Sequence, residues 1–238
     1  MLNKLAACLA ITVLSSLPSG LRSSARAAVA DDSAVMTALF RKDGEGFTPP
    51  AQNEALKAVL AKRPALSFLE ACGVGDTTEI ARQLKRDPKL ATTWTPWGWS
   101  ALHLAAFSGV PEAVQLIVDR GAAINARART KFKNTPLQTA LLAGQLATAK
   151  LLLDRGADPL VRQAHGFTPL QEAALMGRRD LVDLLLAAGA ELNSRADDGR
   201  TALTEALRGN HAELADYLRA KGARAADITA DLKASPKE

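Results

Sequence analysis

From residue 100 onward, small polar residues leading a leucine alternate with aliphatic triplets in a fixed rhythm. The tetrads are Ser100-Ala101-Leu102-His103, Thr135-Pro136-Leu137-Gln138, Thr168-Pro169-Leu170-Gln171 and Thr201-Ala202-Leu203-Thr204. Each is followed by a Gly or Asn (Gly109, Gly144, Gly177, Asn210) and then by Gly-Ala at 121, 156, 189 and 222, so both landmarks recur at 35, 33 and 33 residues. The Ser or Thr suits an N-cap, and Pro136 and Pro169 fit the first helical position because their missing N–H has no intrahelical partner there. Gln138 and Gln171 stand three residues after their Thr, the spacing of a capping box. The helix so begun is short and ends at residue types that accept a left-handed turn. The triplets Leu116-Ile117-Val118, Leu151-Leu152-Leu153 and Leu184-Leu185-Leu186 predict a second helix. Arg120, Arg155 or Lys221 closes it ahead of a Gly, as the helix dipole and a Gly C-cap favour. Polar segments such as residues 193–199, with Asp198-Gly199 as a tight-turn signal, separate the pairs. Self-similarity at this period specifies a stacked array rather than a single closed core.

The pattern resembles the ankyrin repeat over roughly residues 66 to 222. The resemblance implies an all-α repeat solenoid of helix-turn-helix units with β-hairpin fingers, about five units including degenerate caps. Residues 66–76 read as a degenerate first unit: Gly75 aligns with Gly109, Leu69 stands 34 residues before His103, and Asp87-Pro88 stops the second helix. The last unit has Tyr217-Leu218-Arg219 in place of three aliphatics, putting polar character on an exposed end. The chain therefore divides into a signal peptide (1–30), a leader with a capping helix (31–63), an ankyrin-repeat domain (64–224) and a mobile tail (225–238). The leader helix is expected from Gln52 to Lys62, with Leu56, Val59 and Leu60 as its apolar stripe.

The first thirty residues change the reading of the charge. Lys4 followed by the apolar run Leu5–Leu17, with small-residue sites ending at Ala27 and Ala30, has the form of an export signal. The run is too short for a stable membrane span, and Leu5-Ala6-Ala7-Cys8 precedes it, the wrong order for a lipid-anchor box. Export makes the protein periplasmic or secreted. Removal of the signal takes away Lys4, Arg22 and Arg26 and leaves 27 bases against 25 acids, so the balance does not call for nucleic acid. Cys72 is then the one cysteine left, on an apolar helix face, where a buried and inert thiol is expected.

Catalytic chemistry finds no constellation. His103 and His211 occupy positions where the resemblance implies structural histidines, and His165 falls in a finger. Neither a zinc spacing nor a Gly-rich phosphate loop occurs, so no enzyme, metal or cofactor is expected. Binding is the remaining class: a monomeric, non-catalytic scaffold in the cell envelope with a protein partner, or alternatively a secreted effector engaging a host protein.

Two local departures from the repeat mark where a partner is met. Trp94, Trp97 and Trp99 lie in the first finger, in a chain with only 4% aromatic residues. Trp99 corresponds to Asn134, Phe167 and Arg200, a position that the resemblance implies is partner-facing, as are the ends of the first helices. A strip of Trp97, Trp99, Phe107, Leu142, Phe167, Leu175, Met176 and Arg200 follows. Burial of the tryptophans by finger-on-finger packing or by the leader helix is the competing expectation. The second finger is two residues longer and carries Arg127, Arg129, Lys131 and Lys133 at alternate positions around Phe132. Arg129, Lys131, Phe132 and Lys133 form a basic prong suited to an acidic protein surface or anionic headgroups, against the alternative of a solvated charge run. Arg127, Arg162 and Arg195 share one repeat position and read as a structural column.

Overall fold

Cap chemistry decides where the helices of this chain begin. The computed structural model describes residues 54–61 and 65–225; the signal peptide, most of the leader and the tail beyond Ala225 lie outside them. A reciprocal capping box opens the first helix of five successive pairs: Ser67/Glu70, Ser100/His103, Thr135/Gln138, Thr168/Gln171 and Thr201/Thr204. After α1 (Glu54–Leu60) come α2 (Phe68–Val74) with α3 (Thr77–Arg86), and α4 (Ala101–Ser108) with α5 (Pro111–Val118). Then follow α6 (Pro136–Leu142) with α7 (Leu146–Asp154), α8 (Pro169–Leu175) with α9 (Arg179–Ala187), and α10 (Ala202–Arg208) with α11 (Ala212–Ala220). This is the all-α repeat class that the spacing predicts.

The first box corrects the register. Glu70, not Leu69, is the equivalent of His103, and its carboxylate accepts the Ser67 N–H at 2.7 Å. A 33-residue step from Ser67 to Ser100 therefore holds at the cap, and α2 absorbs the difference by ending one residue earlier, at Gly75 (φ 75°). Asp87 and Pro88 do end α3 as expected, passing into a 3-10 turn over Pro88–Thr92.

The chain forms two units, Met1–Leu152 and Leu153–Glu238, with the division inside α7. In the first, α2, α4 and α6 pack side by side and α3 packs against α5. Alanines at 71, 105, 106 and 140 are buried along this row and let helices approach closely. Leu102, Leu104, Ile117 and Leu137 fill the space between them; burying a leucine of this kind stabilises by about 1.5–3 kcal/mol. In the second unit α8 packs against α10, and α9 and α11 each back their own partner through Leu181, Leu185, Leu214 and Leu218. Tyr217 on α11 is half-buried: its hydroxyl donates to Asp183, and the Arg179 guanidinium lies 3.9 Å from its ring centroid. In the leader, α1 occupies part of the expected stretch and buries Leu56.

No strand is present among the described residues, so the expected β-hairpins are reduced to loops closed by one main-chain bond. The closures run from Thr95 N–H to Trp99 O (2.7 Å), Ala128 to Asn134 (2.8 Å), Gln163 to Phe167 (2.9 Å) and Ala196 to Arg200 (2.8 Å). The second spans six residues where the others span four, which places the two-residue insertion at the tip of that finger. Fingers are instead tied to one another. Arg129 N–H donates to Gly98 O at 2.8 Å in the first unit, and Asp197 N–H to His165 O at 3.0 Å in the second.

That first tie requires Gly98. Its φ is 88°, and a Cβ there would stand 2.7–2.9 Å from Arg129 Cβ, C and O. Gly98→Ala is expected to lower stability of the first unit by about 2–3 kcal/mol, backbone strain and the clash adding. Gly121→Ala, with a similar φ of 85° but open space around it, should cost only about 1 kcal/mol. Urea titrations followed by circular dichroism compare the two; equal losses would remove the close approach as the cause.

Candidate functional site

The first unit builds its candidate surface on a buried histidine. His103 is wholly enclosed, its Nδ1 accepting from the Ser100 backbone N–H (3.3 Å) and hydroxyl (2.7 Å). The ring proton is thereby placed on Nε2, which donates to Asn134 O at 2.9 Å across to the second finger. Burial lowers its pKa to about 4, against the opposing pull of the Asn134 bond, so the imidazole is neutral near pH 7. Trp99 meets this ring edge-on with centroids 5.7 Å apart, and Trp94 lies at 6.0 Å. All three tryptophans are half-buried. Arg129 stacks over Trp94 at 4.2 Å, so packing of finger upon finger accounts for part of the cluster. Thr95 fixes the turn: its hydroxyl oxygen accepts the Trp99 N–H at 3.0 Å.

The second finger keeps its alternation through the turn. Arg127, Arg129, Lys131 and Lys133 are exposed, whereas Ala128 is buried and Thr130 and Phe132 are half-buried. Lys131 Nζ lies 5.0 Å from the Phe132 ring centroid, and Lys133 holds a left-handed φ of 55°. At the ends of the inner helices Leu142 is half-buried, but Phe107 is only 6% exposed. Phe107 is therefore a packing residue and does not join an exposed strip.

In the second unit Leu175 and Met176 are half-buried, as is Phe167. Arg200 is committed internally. Its guanidinium lies 4.6 Å from the Phe167 centroid, pairs with Asp198 at 2.5 Å and donates to the buried Glu205 at 2.9 Å. This ion-pair role displaces the expected partner contact, because both faces of the guanidinium fork already have acceptors. Arg200 in turn holds the Asp198 carboxyl below the usual range. Within the supposed arginine column, Arg162 is tied to the main chain of Gly166 (2.9 Å) and Arg195, while Arg127 and Arg195 are exposed. His211 opens α11, its Nε2 3.1 Å from Leu175 O.

Two buried carboxyls escaped the sequence reading. Glu172 and Glu205 occupy one repeat position 33 residues apart, on α8 and α10. Glu172 Oε1 accepts from the Gln163 side chain at 2.5 Å, while Oε2 has no partner among the described residues. Burial pushes Glu172 up to about 8, and raises Glu205 against the pull of Arg200 and Arg208. The available signal was Gln163, a long amide at the finger position where Ala128 and Ala196 stand elsewhere. Cys72 is buried, and desolvation pushes its thiol far up, so it is an unreactive core residue as expected. Among the described residues no cluster of His, Cys, Asp or Glu converges to hold a metal ion, and no helix is long and apolar enough to cross a membrane.

A family model described as ankyrin repeats (3 copies) matches residues 68–163, 132–196 and 159–230. A relative from Mus musculus, protein phosphatase 1 regulatory subunit 27, is 36% identical over 91 residues, 38% of this chain and 58% of its own length. The transient receptor potential cation channel subfamily A member 1 homolog of Caenorhabditis elegans is 32% identical over 123 residues, 51% of this chain and 9% of that protein. The ankyrin repeat and KH domain-containing protein mask of Drosophila melanogaster is 44% identical over 59 residues, 25% of this chain and 1% of that protein. The chain thus spans less than two thirds of the length of each of these relatives.

The two buried titrating groups give the units opposite responses to pH. His103 titrates near 4 when folded against 6.5 when free, so the first unit is fully stabilised above 6.5 and weakens as pH falls through 4. Glu172 titrates near 8 against 4.5, so the second unit is most stable below 4.5 and weakens as pH rises through 8. Each slope is at most about 1.4 kcal/mol per pH unit. Hydrogen exchange read separately over residues 100–142 and 163–218 should show crossing profiles. His103→Gln should flatten the acid side of the first, and Glu172→Gln the alkaline side of the second. Parallel profiles in the two units would contradict this assignment.

Proposed function

The chain belongs to the ankyrin-repeat family, whose repeats are generally protein-interaction scaffolds, and from that premise we propose that it binds a protein partner through its fingers and the inner-helix ends. The observation that carries this reading is the half-exposure of Leu142 in the first unit and of Leu175 and Met176 in the second. Neighbouring apolar residues of the same helices, Leu137, Leu141 and Leu170, are fully enclosed, so these three stand where folding alone gives no reason for a large apolar group. The half-buried Trp97, Trp99 and Phe167 add aromatic area of the kind that anchors interfaces. Binding is by burial on a pre-ordered surface, with no chemistry of the protein's own. The name of the mouse relative, a regulatory subunit, is in keeping with such a role.

We further propose that the protein acts after export, in the cell envelope, because Lys4, the run Leu5–Leu17 and the Ala-x-Ala sites have the form of a cleaved signal. Fractionation tests this: retention in the periplasm supports an envelope scaffold, release to the medium supports an effector engaging a host protein, and a cytoplasmic pool overturns export.

Cross-linking in the native compartment, followed by capture, reads the binding itself. Leu142→Gln and Met176→Gln should each weaken capture about tenfold while shifting the unfolding free energy by no more than about 0.5 kcal/mol. A steep loss of stability with unchanged capture would make these positions core.

A further inference from the structure

Between Asp119 and Asp154 the sequence contains no acidic residue but six bases, four of them in the second finger: Arg127, Arg129, Lys131 and Lys133. In the second unit the finger arginines are answered from within the fold, Arg200 by Asp198 and Glu205, and Arg162 by Asp197 at 4.0 Å. Among the described residues no carboxylate comes within 4.0 Å of any of the four cations of the second finger. Their recorded contacts are with ring faces, Arg129 on Trp94 and Lys131 on Phe132.

Stability does not account for this arrangement. Four like charges on one hairpin repel one another, and a lysine at φ 55° pays about 1 kcal/mol that glycine would not. The two-residue insertion that carries them closes no further main-chain bond to another finger. What the finger does have is a fixed base. Arg129 is held by the bond to Gly98 O (2.8 Å) and by Trp94, and Asn134 by His103, so the cations are displayed from a rigid foot.

We propose, building on the protein-binding reading above, that the second finger is a docking prong for an extended acidic segment of the partner protein. The cations stand at alternate residues along a narrow loop, with the buried or half-buried Ala128, Thr130 and Phe132 between them. Alternate positions of an extended chain repeat at about 6.6–6.8 Å, so carboxylates at every second residue of the partner match this spacing. A bilayer surface fits less well: its binding draws on an exposed apolar face beneath the charge, and the one large apolar side chain in the loop, Phe132, is half-buried.

The probe is a fluorescein-labelled peptide of alternating Glu and Ser titrated into the full chain, beside a peptide with Gln in place of Glu. The Glu peptide should bind, about tenfold more weakly at 0.3 M than at 0.05 M salt, and the Gln peptide at least tenfold more weakly than it. Lys131→Glu/Lys133→Glu should weaken the Glu peptide at least tenfold with an unchanged circular dichroism spectrum, whereas Arg195→Glu, in the second unit, should leave it within twofold. The milder Lys131→Gln/Lys133→Gln should fall between. Equal binding of the two peptides, or wild-type binding by the Lys131→Glu/Lys133→Glu chain, overturns the proposal. So does tighter, lysine-dependent binding to phosphatidylglycerol vesicles than to the peptide. If the native partner is captured equally by wild type and by Lys131→Glu/Lys133→Glu, the scaffold reading stands and the prong falls.

Discussion

One side chain per repeat, third in its inner helix, performs two tasks on which the array depends. It turns back to accept the N–H of its own N-cap, and it reaches forward to a carbonyl of the following finger. His103 does both in the first unit, through Nδ1 to Ser100 and Nε2 to Asn134. Gln171 does both in the second, its Oε1 accepting from Thr168 (2.8 Å) and its Nε2 donating to Arg200 O (2.5 Å). Imidazole and primary amide are interchangeable here because each carries an acceptor and a donor at suitable separation. The end repeats lack that pairing. Glu70 closes its box but, when ionised, has no proton to give, and its Oε1 is left without a partner among the described residues. Thr204 is too short to reach onward, and Thr201 supplies the forward bond instead, its hydroxyl donating to Arg224 O at 3.0 Å. Repeat identity and end-cap identity are thus decided by whether one residue has both a donor and reach.

The landmarks that made the fold legible are those whose chemistry is local. Ser or Thr before a helix, Pro at its first position and Gly or Asn at its end act within a few residues, and each lies where the spacing placed it: Gly109, Gly144, Gly177 and Asn210 all have positive φ. Legibility failed where the outcome depends on how far a neighbour's side chain extends. Position 107 is open in the repeat pattern, yet Phe107 is enclosed in this chain. Arg200 was read as outward-facing because its position is, but a buried carboxylate five residues on draws it in. Leu69 was placed at the capping position by counting back from Gly75, and the helix proved one residue shorter. Glu172 and Glu205 repeat at the period of the array and were still passed over, since a buried acid becomes visible only with its partners Gln163 and Arg200 in place.

The fingers carry the departures from the repeat, and their rigidity comes from an unexpected source. A hairpin with a ladder stiffens itself; these loops have one closing bond each and depend on their neighbours. The bond from Arg129 to Gly98, the stacking of Arg129 on Trp94 and the bond from His103 to Asn134 all hold the longer second finger from its first-finger side. Order at a finger is therefore shared between adjacent repeats, so a change in one is felt at the next. Functional variation is accordingly cheapest at the tips, beyond the last shared bond, which is where the insertion sits.

All three tryptophans stand in the first unit and the single tyrosine, Tyr217, in the second. The chain thereby carries two intrinsic optical labels that divide along the same boundary as its packing. Indole emission, excited at the red edge, reports the first unit alone, with Trp94 and Trp99 close enough to His103 to sense its protonation. Phenol absorbance reports the second, through a hydroxyl bonded to Asp183. Whether the repeats unfold as one body or in two steps is written into the spectrum of the unmodified protein.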